Sequence, residues 1–500
     1  MENRDLRRGA AVPTPGLRVA GAIAATALAV SLSAALAGQA AAGGGGVSTR
    51  VARADCGPGS SPETGLQGQV PLKDRKSGRS KRGYSCNLEL VSRYQGQGQA
   101  TVGASYGHCQ YLGTILPGAV TSKRPGVNVI DMANPRKPRL AGSLVSPATV
   151  GGTWETLKVH QGRGLLAAVS VGALSGGFFV SVYDVKTDCA KPRLLNGIKG
   201  TKLTMPGAFP GHEASWSPDG RTYWTTGTVG GTIAALDMTN PRKPKVIYNG
   251  ITGLVNHGVG VSDDGSRIYV ADMPAGVITF DARDVQRRVP RPQLRQIAKT
   301  TWTDGLATQH AIPFTDRGRP HLVVVDELGS GGARIFDISR ERRPELVRKL
   351  KLEINRPEHL KLRGADLARN GIFGYDSHYC TLDRTADPTA MACGWAQSGI
   401  RVFDIRDLRK PREIAYFNPP AQVGQRHRLT NSAHAFVPFG AYFSDVLQGG
   451  GEGGLHTGET DMTADWCMSP PRFDGGRLWV SCDDNGALLL RFTNGAYPLR

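Results

Sequence analysis

The sequence lacks the short motifs that mark several large enzyme classes. It contains no P-loop, no nucleophile elbow, no H-E-x-x-H pair and no dinucleotide-binding fingerprint placed between a strand and a helix. Hydrolase and nucleotide-binding interpretations are therefore without support. The 8 cysteines include no C-x-x-C pair, which argues against a thiol redox enzyme and a thiolate zinc site.

Long apolar runs are also scarce. Only residues 19–36 are long and apolar enough to resemble a membrane helix. Arginines precede this run and the small residues Ala40–Ala42 follow it, as in a secretory signal peptide cleaved near Ala42. Gln39 stands where a lipoprotein would carry its lipid-bearing Cys, so no lipid anchor is expected. We expect residues 1–42 to be a signal peptide and the mature chain to be secreted from a bacterium without a membrane span; the alternative is an uncleaved anchor.

What the chain does contain is one phrase repeated six times: alternating apolar residues that end in Asp, followed by a turn with Pro. The Asp residues that end the six phrases are Asp131, Asp184, Asp237, Asp281, Asp337 and Asp404. Alternation with period two predicts a half-buried strand, and the Asp can accept backbone hydrogen bonds in the turn that it opens. Asp-Gly turns such as Asp219-Gly220 and Asp264-Gly265 lie upstream and predict hairpins. A repeat of about 44 to 67 residues built from strands and turns predicts a β-propeller with one four-stranded blade per repeat.

A seventh blade can be assembled from the two ends of the chain. Residues 477–482 and 487–492 predict its middle strands, but the sequence ends before an outer strand could form. Residues 86–94 supply that missing strand, since a ring of sheets should leave no open edge. We therefore predict an all-β, seven-bladed propeller over residues 86–500, its last blade closed by an N-terminal strand.

The repeated phrase resembles the LVIVD repeat, a bacterial propeller repeat named for its strand and Asp. The match covers residues of about 99 to 420 and the C-terminus, which is most of the mature chain. The resemblance implies a propeller that is often secreted, and it implies no defined activity.

Composition gives the expectations for linkers and partners. Residues 43–85 are rich in Gly and basic residues, and we expect a flexible basic linker there. The net charge of +19 would suit a polyanion, but basic residues are not interleaved with stacking aromatics, so no nucleic-acid partner is expected. We expect a monomer that binds an extracellular ligand or a cell-envelope component.

The Gly-rich insertion 419–465 is either a lid over the channel or a flexible loop.

The cysteines predict four disulfides in an exported chain. Cys380, at the end of the second strand of the sixth blade, should pair with Cys393, and Cys467 should pair with Cys482 in the seventh blade. The other four cysteines, Cys56, Cys86, Cys109 and Cys189, should pair among themselves, and one option joins Cys56 to Cys86.

The histidines carry the chemistry, if the chain has any. Counting eight residues back from the Gly of each predicted inner hairpin gives His212, His257 and His310, and His359 holds the same place in the sixth blade. These four would start the innermost strands of consecutive blades and converge at the channel mouth. Three carboxylates at or next to this level would orient the imidazoles from a second shell, namely Glu155, Glu213 and Glu358. His378 falls, by the same count, near an outer strand.

Two functions follow. In the first, the chain is a secreted binding propeller, with the histidines either structural or ligands of copper, iron or zinc. In the second, it is a metal-dependent oxidoreductase whose architecture is similar to that of methanethiol oxidase (selenium-binding protein) or of the carotenoid oxygenases. The similarity is one of architecture and not of matching motifs. No catalytic residue can be named from the sequence.

Overall fold

The computed structural model describes residues 49–115, 122–170, 179–197, 201–202, 211–273, 275–328, 331–367, 373–420, 429–432 and 464–499. The predicted signal peptide, 1–42, lies outside these residues. Most of the predicted insertion 419–465, with His427, His434 and His456, also lies outside them.

The described chain is built almost entirely from β-strands. In chain order they are β1 (Tyr84–Cys86), β2 (Leu88–Tyr94), β3 (Ala104–Tyr106), β4 (Cys109–Leu112), β5 (Val127–Asp131), β6 (Arg139–Leu144), β7 (Lys158–His160), β8 (Leu165–Val169), β9 (Phe179–Asp184), β10 (Arg193–Leu194), β11 (Thr201–Lys202), β12 (Gly211–Trp216), β13 (Thr222–Gly227), β14 (Thr232–Asp237), β15 (Lys245–Ile251), β16 (Asn256–Val261), β17 (Arg267–Asp272), β18 (Gly276–Asp281), β19 (Arg295–Thr301), β20 (Leu306–Asp316), β21 (Arg319–Leu328), β22 (Gly332–Asp337), β23 (Glu345–Leu350), β24 (Cys380–Leu382), β25 (Ala390–Gly394), β26 (Ile400–Asp404), β27 (Arg412–Asn418), β28 (Arg472–Asp474), β29 (Arg477–Cys482) and β30 (Gly486–Phe492). The α-helices within the described ranges are α1 (Leu72–Ser77), α2 (Pro147–Val150), α3 (Arg283–Gln286) and α4 (Leu360–Leu367). None of the helices in the described residues has the length and apolar character needed to span a bilayer.

The strands form seven antiparallel sheets arranged as a β-propeller, which confirms the predicted fold. Blade 1 contains β3 to β6, blade 2 β7 to β11, blade 3 β12 to β15, blade 4 β16 to β19 and blade 5 β20 to β23. Blade 6 contains β24 to β27, and blade 7 contains β28 to β30. The core is a series of apolar clusters, most of them between neighbouring blades, such as one that joins Trp224 of blade 3 to Ile268 of blade 4.

The Asp that ends each repeated phrase has the predicted role. In all six phrases its Oδ1 accepts a hydrogen bond from the backbone N–H two residues later, at 2.8 to 3.1 Å. This contact fixes the turn between the third and fourth strands of a blade. The Asp that ends each phrase therefore determines the local conformation of one turn in each of these six blades.

The N-terminal strand closes blade 7 as predicted. Strand β2 pairs antiparallel with β30, with Leu88 opposite Phe492 and Tyr94 opposite Ala487. The strand begins two residues later than predicted, because Asn87 has a left-handed backbone (φ 55°) and separates it from a strand that ends at Cys86. That separate strand, β1, pairs with β27 and adds a fifth strand to blade 6. One short segment thus completes two neighbouring blades.

The flexible-linker prediction for residues 43–85 is wrong for residues 49–85. Val51 and Val70 are each 1% exposed, and the buried guanidinium of Arg401 in blade 6 pairs with Glu63. The Cys56–Cys86 disulfide ties the segment to β1. The basic residues that suggested disorder lie on a short helical stretch that contacts α4: the Leu72 N–H donates to the Asp366 carboxylate at 2.9 Å, and Arg75 donates to the Asp366 carbonyl oxygen. Composition alone does not reveal these contacts.

The structure contains all four predicted disulfides and resolves the open pairing. They are Cys56–Cys86, Cys109–Cys189, Cys380–Cys393 and Cys467–Cys482.

One strand assignment in blade 6 was wrong. Cys380 begins the innermost strand, β24, and does not end the second strand as predicted. The segment between β23 and β24 is an insertion that includes α4, and this insertion displaced the sequence count.

Candidate functional site

Irregular pairing at the start of three inner strands creates the site. The register between the first and second strands of blades 3, 4 and 5 shifts at Gly211/Ala214, Asn256/Val259 and Thr308/His310. A bulge interrupts the alternation of side chains between the two faces of a strand. Adjacent residues such as His212 and Glu213 can therefore both take part in one central cluster, which strict alternation would prevent.

Two of the predicted histidines meet directly. Nε2 of His212 lies 2.9 Å from Nε2 of His257, and the rings pack edge to face at 4.2 Å between centroids. His257 is 3% exposed, whereas the His212 side chain is 18% exposed and faces the accessible side of the cluster. The two imidazoles present their nitrogens to the same small volume.

Carboxylates complete this volume. Glu327 places Oε2 at 3.0 Å from His257 Nε2, and Glu155 places Oε1 at 3.9 Å from His212 Nε2. The other oxygen of Glu155, Oε2, accepts hydrogen bonds from Gln309 Nε2 and the Tyr379 hydroxyl, both at 3.1 Å. Glu155 Oε1 is buried and accepts no hydrogen bond from the described residues. Glu155 is therefore held through one oxygen, and its other oxygen is turned to the imidazoles. This carboxylate lies closer to the centre of the cluster than predicted, since the prediction gave it only the role of orienting the imidazoles.

His378 is the third imidazole of the cluster. Its Nδ1 donates to the carbonyl oxygen of Met468 at 2.9 Å, which leaves Nε2 without a proton when the ring is neutral. Nε2 lies 3.3 Å from Glu155 Oε1 and 3.2 Å from Glu327 Oε1. Gln309 Nε2 also lies 3.4 Å from this nitrogen. A backbone contact on the far nitrogen that fixes a ring for ligation is typical of metal-bound histidines.

His310 and Glu213 form an adjoining pair. His310 Nδ1 lies 2.7 Å from Glu213 Oε1, yet the two atoms are not aligned as a hydrogen bond. Lys158 approaches the same oxygen at 3.9 Å and lies over the Tyr379 ring at 4.0 Å. Burial alone would raise the pKa of Glu213, but His310 and Lys158 outweigh burial and lower that pKa.

Two predicted site residues lie elsewhere. His359 belongs to the short 3₁₀ turn Pro357–His359 in the insertion before blade 6, and Glu358 is exposed and pairs with Arg356 at 2.6 Å. The prediction placed both at the start of an inner strand, but that strand is β24, which begins about twenty residues later. The expectation that His378 is near an outer strand was wrong for the same reason.

The charges in the cluster depend on one another. Burial alone would raise the pKa of Glu155, but the imidazoles of His378 and His257 outweigh it and lower that pKa. Burial likewise opposes protonation of His257 and His378, yet the neighbouring carboxylates raise both pKa values to about 10. Burial and the adjacent His257 lower the pKa of His212 to about 4. Without an ion the cluster is thus a network of carboxylates and imidazolium groups around one neutral imidazole.

The donor set also fits a transition-metal ion. Two donors bound to one ion at about 2.0–2.2 Å lie roughly 2.9–3.5 Å apart when they are neighbours in its coordination sphere. The separations of 2.9 Å between His212 and His257 and 3.0 Å between His257 and Glu327 meet this condition. Imidazole and carboxylate together suit iron, manganese and zinc.

Sequence reasoning missed Glu327 and His378. A count back from the repeated strand of blade 6, β26, instead of forward from blade 5, would have placed His378 on an inner strand. Glu327 lies next to the last residue of β21, and only the pairing of that strand brings it to the cluster.

Comparison with known proteins identifies no family: no family model and no curated protein matches the chain. Among solved structures, the periplasmic gluconolactonase of Pseudomonas aeruginosa is similar over 49% of this chain and 69% of its own, with 14% identity and a TM-score of 0.38. A protein from Lactobacillus plantarum is similar over 64% of this chain and 87% of its own, with 12% identity and a TM-score of 0.44.

Proposed function

We propose that this chain is an exported metal-binding propeller. Its channel would bind a divalent transition metal through His212 and His257, with Glu155 and Glu327 as further ligands, and present that ion to an extracellular or cell-envelope ligand. The observation that carries the proposal is the 2.9 Å approach of two imidazole nitrogens beside a fully buried carboxylate oxygen without a hydrogen-bond partner in the described residues.

The burial of the cluster residues supports a bound ion that a further ligand can still reach. Glu155, His257 and His378 are almost fully buried, so their affinity for a cation would be little weakened by solvent. The side chains of His212 and His310 are 18% and 12% exposed and give the cluster an accessible side. A structural zinc site is usually closed by four protein ligands, whereas a site that binds a further ligand keeps one position open.

Export is proposed on separate grounds. Four disulfides are typical of proteins that fold outside the cytoplasm, and the sequence of residues 1–42 has the pattern of a signal peptide. Mass spectrometry of the protein from culture supernatant should give an N-terminus between Gln39 and Gly46. Intact Met1-containing protein in the membrane fraction would overturn this part of the proposal.

The metal proposal is tested by elemental analysis after purification without chelators. Wild type should retain at least one transition metal per chain, and the double variant His212→Ala/His257→Ala should retain less than a tenth of that amount. His359→Ala is a matched control, because it also removes an imidazole but lies outside the cluster. Wild type without bound metal, even after incubation with zinc or manganese, would contradict the proposal.

A metal-dependent oxidoreductase is the second candidate. The mixture of imidazole and carboxylate donors favours it, since that set binds redox-active iron or manganese as well as zinc. Oxygen consumption with a small thiol, measured on iron- and manganese-loaded wild type and on the His212→Ala/His257→Ala variant, decides between the candidates. Turnover only with wild type supports the enzyme; metal retention without turnover supports the binding protein.

A further inference from the structure

The metal donors of the cluster form two overlapping groups. In one, ligand atoms of Glu155, His212 and His257 lie within 4.8 Å of one another; in the other, ligand atoms of Glu155, Glu327 and His378 do so. Glu155 belongs to both groups. His212 Nε2 lies 2.9 Å and 3.9 Å from the other donors of the first group, and His378 Nε2 lies 3.3 Å and 3.2 Å from those of the second. One ion with bonds of about 2.0–2.2 Å spans donors up to roughly 4.4 Å apart, so each group can hold an ion of its own.

The orientation of Glu327 fits a bridge between two positions. Its Oε2 lies 3.0 Å from His257 Nε2 and its Oε1 lies 3.2 Å from His378 Nε2. The carboxylate therefore offers one oxygen to an imidazole of blade 4 and the other to an imidazole of blade 6. Carboxylates that coordinate two ions present their oxygens in this divided way.

A further buried carboxylate lies near the second group. Asp483 is fully buried, and burial together with the carboxylates of Asp465 and Asp484 raises its pKa, against the attraction of His378 and a backbone hydrogen bond from Thr101. It follows Cys482, which pairs with Gly486 in blade 7, just as Glu327 follows Asp326, which pairs with Gly332 in blade 5. Equivalent positions of blades 5 and 7 thus supply carboxylates to the neighbourhood of His378 in blade 6. A buried carboxylate beside other carboxylates is costly to ionise unless a cation neutralises its charge.

We propose that the channel holds two divalent transition-metal ions, the second bound by His378 and Glu327 with Glu155 shared between the ions and Asp483 neutralising the charge. This inference rests on the proposed metal-binding function. The inference goes beyond that function because it assigns a second ion, and because it gives a ligand role to His378 and a charge-neutralising role to Asp483.

The test is the stoichiometry of Mn²⁺ binding to the chelator-stripped full chain, measured by calorimetry and elemental analysis. Wild type should bind two ions. His378→Ala should bind one, and Asp483→Asn, which keeps the shape but removes the charge, should weaken the second ion at least tenfold. His212→Ala should also bind one ion, and His359→Ala, outside the cluster, should bind two.

The outcomes separate this inference from the function on which it rests. One ion in wild type, unchanged in His378→Ala, would overturn the second site and leave the metal-binding function intact. No bound ion in wild type would overturn both. If His378→Ala fails to fold, electron paramagnetic resonance of Mn²⁺-loaded wild type decides: a spin-coupled pair supports two adjacent ions, and only the six-line signal of isolated Mn²⁺ contradicts them.

Discussion

His212 Nε2 and His257 Nε2, from the inner strands of adjacent blades, lie 2.9 Å apart and close the central cluster on its accessible side. Their residues occupy equivalent places in the repeat, so propeller symmetry brings them to the same level of the channel. A bulge at the start of each strand then interrupts the alternation of side chains between the two faces of the strand. Without the bulge, one of two adjacent side chains would point away from the cluster. The central cluster thus depends on both the regular repeat and a local departure from it.

Gly258→Ala should disturb the cluster without touching a proposed ligand. A Cβ at this position would lie 1.8 Å from Glu213 Oε2 and 2.4 Å from the Gln309 carbonyl oxygen, so a buried carboxylate and a neighbouring strand must both move. Overpacking of this kind costs about 1–3 kcal/mol, measured as a lower free energy of unfolding in urea. Gly142→Ala is the control, since its added Cβ meets no atom within 4 Å and should change stability by less than about 0.5 kcal/mol. Equal effects of the two substitutions would contradict the tight packing at Gly258.

Arg401→Met should release the N-terminal segment from blade 6. The buried guanidinium pairs with Glu63 and, at 3.1 Å, with Glu413 Oε1, and it lies over the Tyr416 ring. Its removal leaves two carboxylates buried without their cation, which costs about 3–5 kcal/mol. Limited proteolysis should then cleave within residues 49–83, which wild type protects.

The control for this prediction is Arg412→Met. Arg412 pairs with Asp404 at 3.2 Å, but its side chain is 59% exposed, and an exposed pair contributes only about 0–1 kcal/mol. Wild-type resistance to protease in Arg401→Met would mean that the segment does not depend on the buried ion pair.

Lys351 should make stability depend on alkaline pH. Burial, together with the cations of Arg334 and Lys349, outweighs the attraction of Asp304 and Asp326 and lowers the pKa of Lys351 to about 8 from 10.5. The unfolded chain therefore binds more protons than the folded chain between about pH 8 and 10.5, and this group adds stability as pH rises through that window.

Substitution isolates the Lys351 effect. Below pH 8, Lys351→Met should unfold with a free energy about 3 kcal/mol higher than wild type, and the difference should disappear towards pH 10.5. Urea unfolding at several pH values gives the comparison, and Lys245→Met, at an exposed lysine, should follow the wild-type curve. A constant difference between Lys351→Met and wild type over this range would show that Lys351 is not held at a lowered pKa.

The disulfides should differ in their contribution to stability. Cys109 and Cys189 are 80 residues apart, whereas Cys380 and Cys393 are 13 residues apart. Chain entropy predicts a loss of about 4.5 kcal/mol when the longer loop is opened and about 3 kcal/mol for the shorter one. Unfolding of the two double-Ala variants in urea measures the difference; the opposite order would show that native contacts, and not loop length, dominate.

The sequence by itself determined the features that are local or repeated. Each strand that ends in Asp, each Asp-based turn and the number of blades follow from short patterns, and the closing strand follows from the need to leave no open edge. Two disulfides followed in the same way, because their cysteines are close in the chain. His212, His257 and His310 were found because three consecutive blades keep the same spacing.

The tertiary structure decided what depends on contacts between distant segments. His378 and Glu327 join the cluster only because an insertion shifts the start of β24 and because the end of β21 reaches the channel. Residues 49–85 are ordered because blade 6 supplies a buried cation and blades 5 and 6 together supply an apolar surface for them. Pairing partners, strand register and burial arise from the whole chain, and a pattern of neighbouring residues does not contain them.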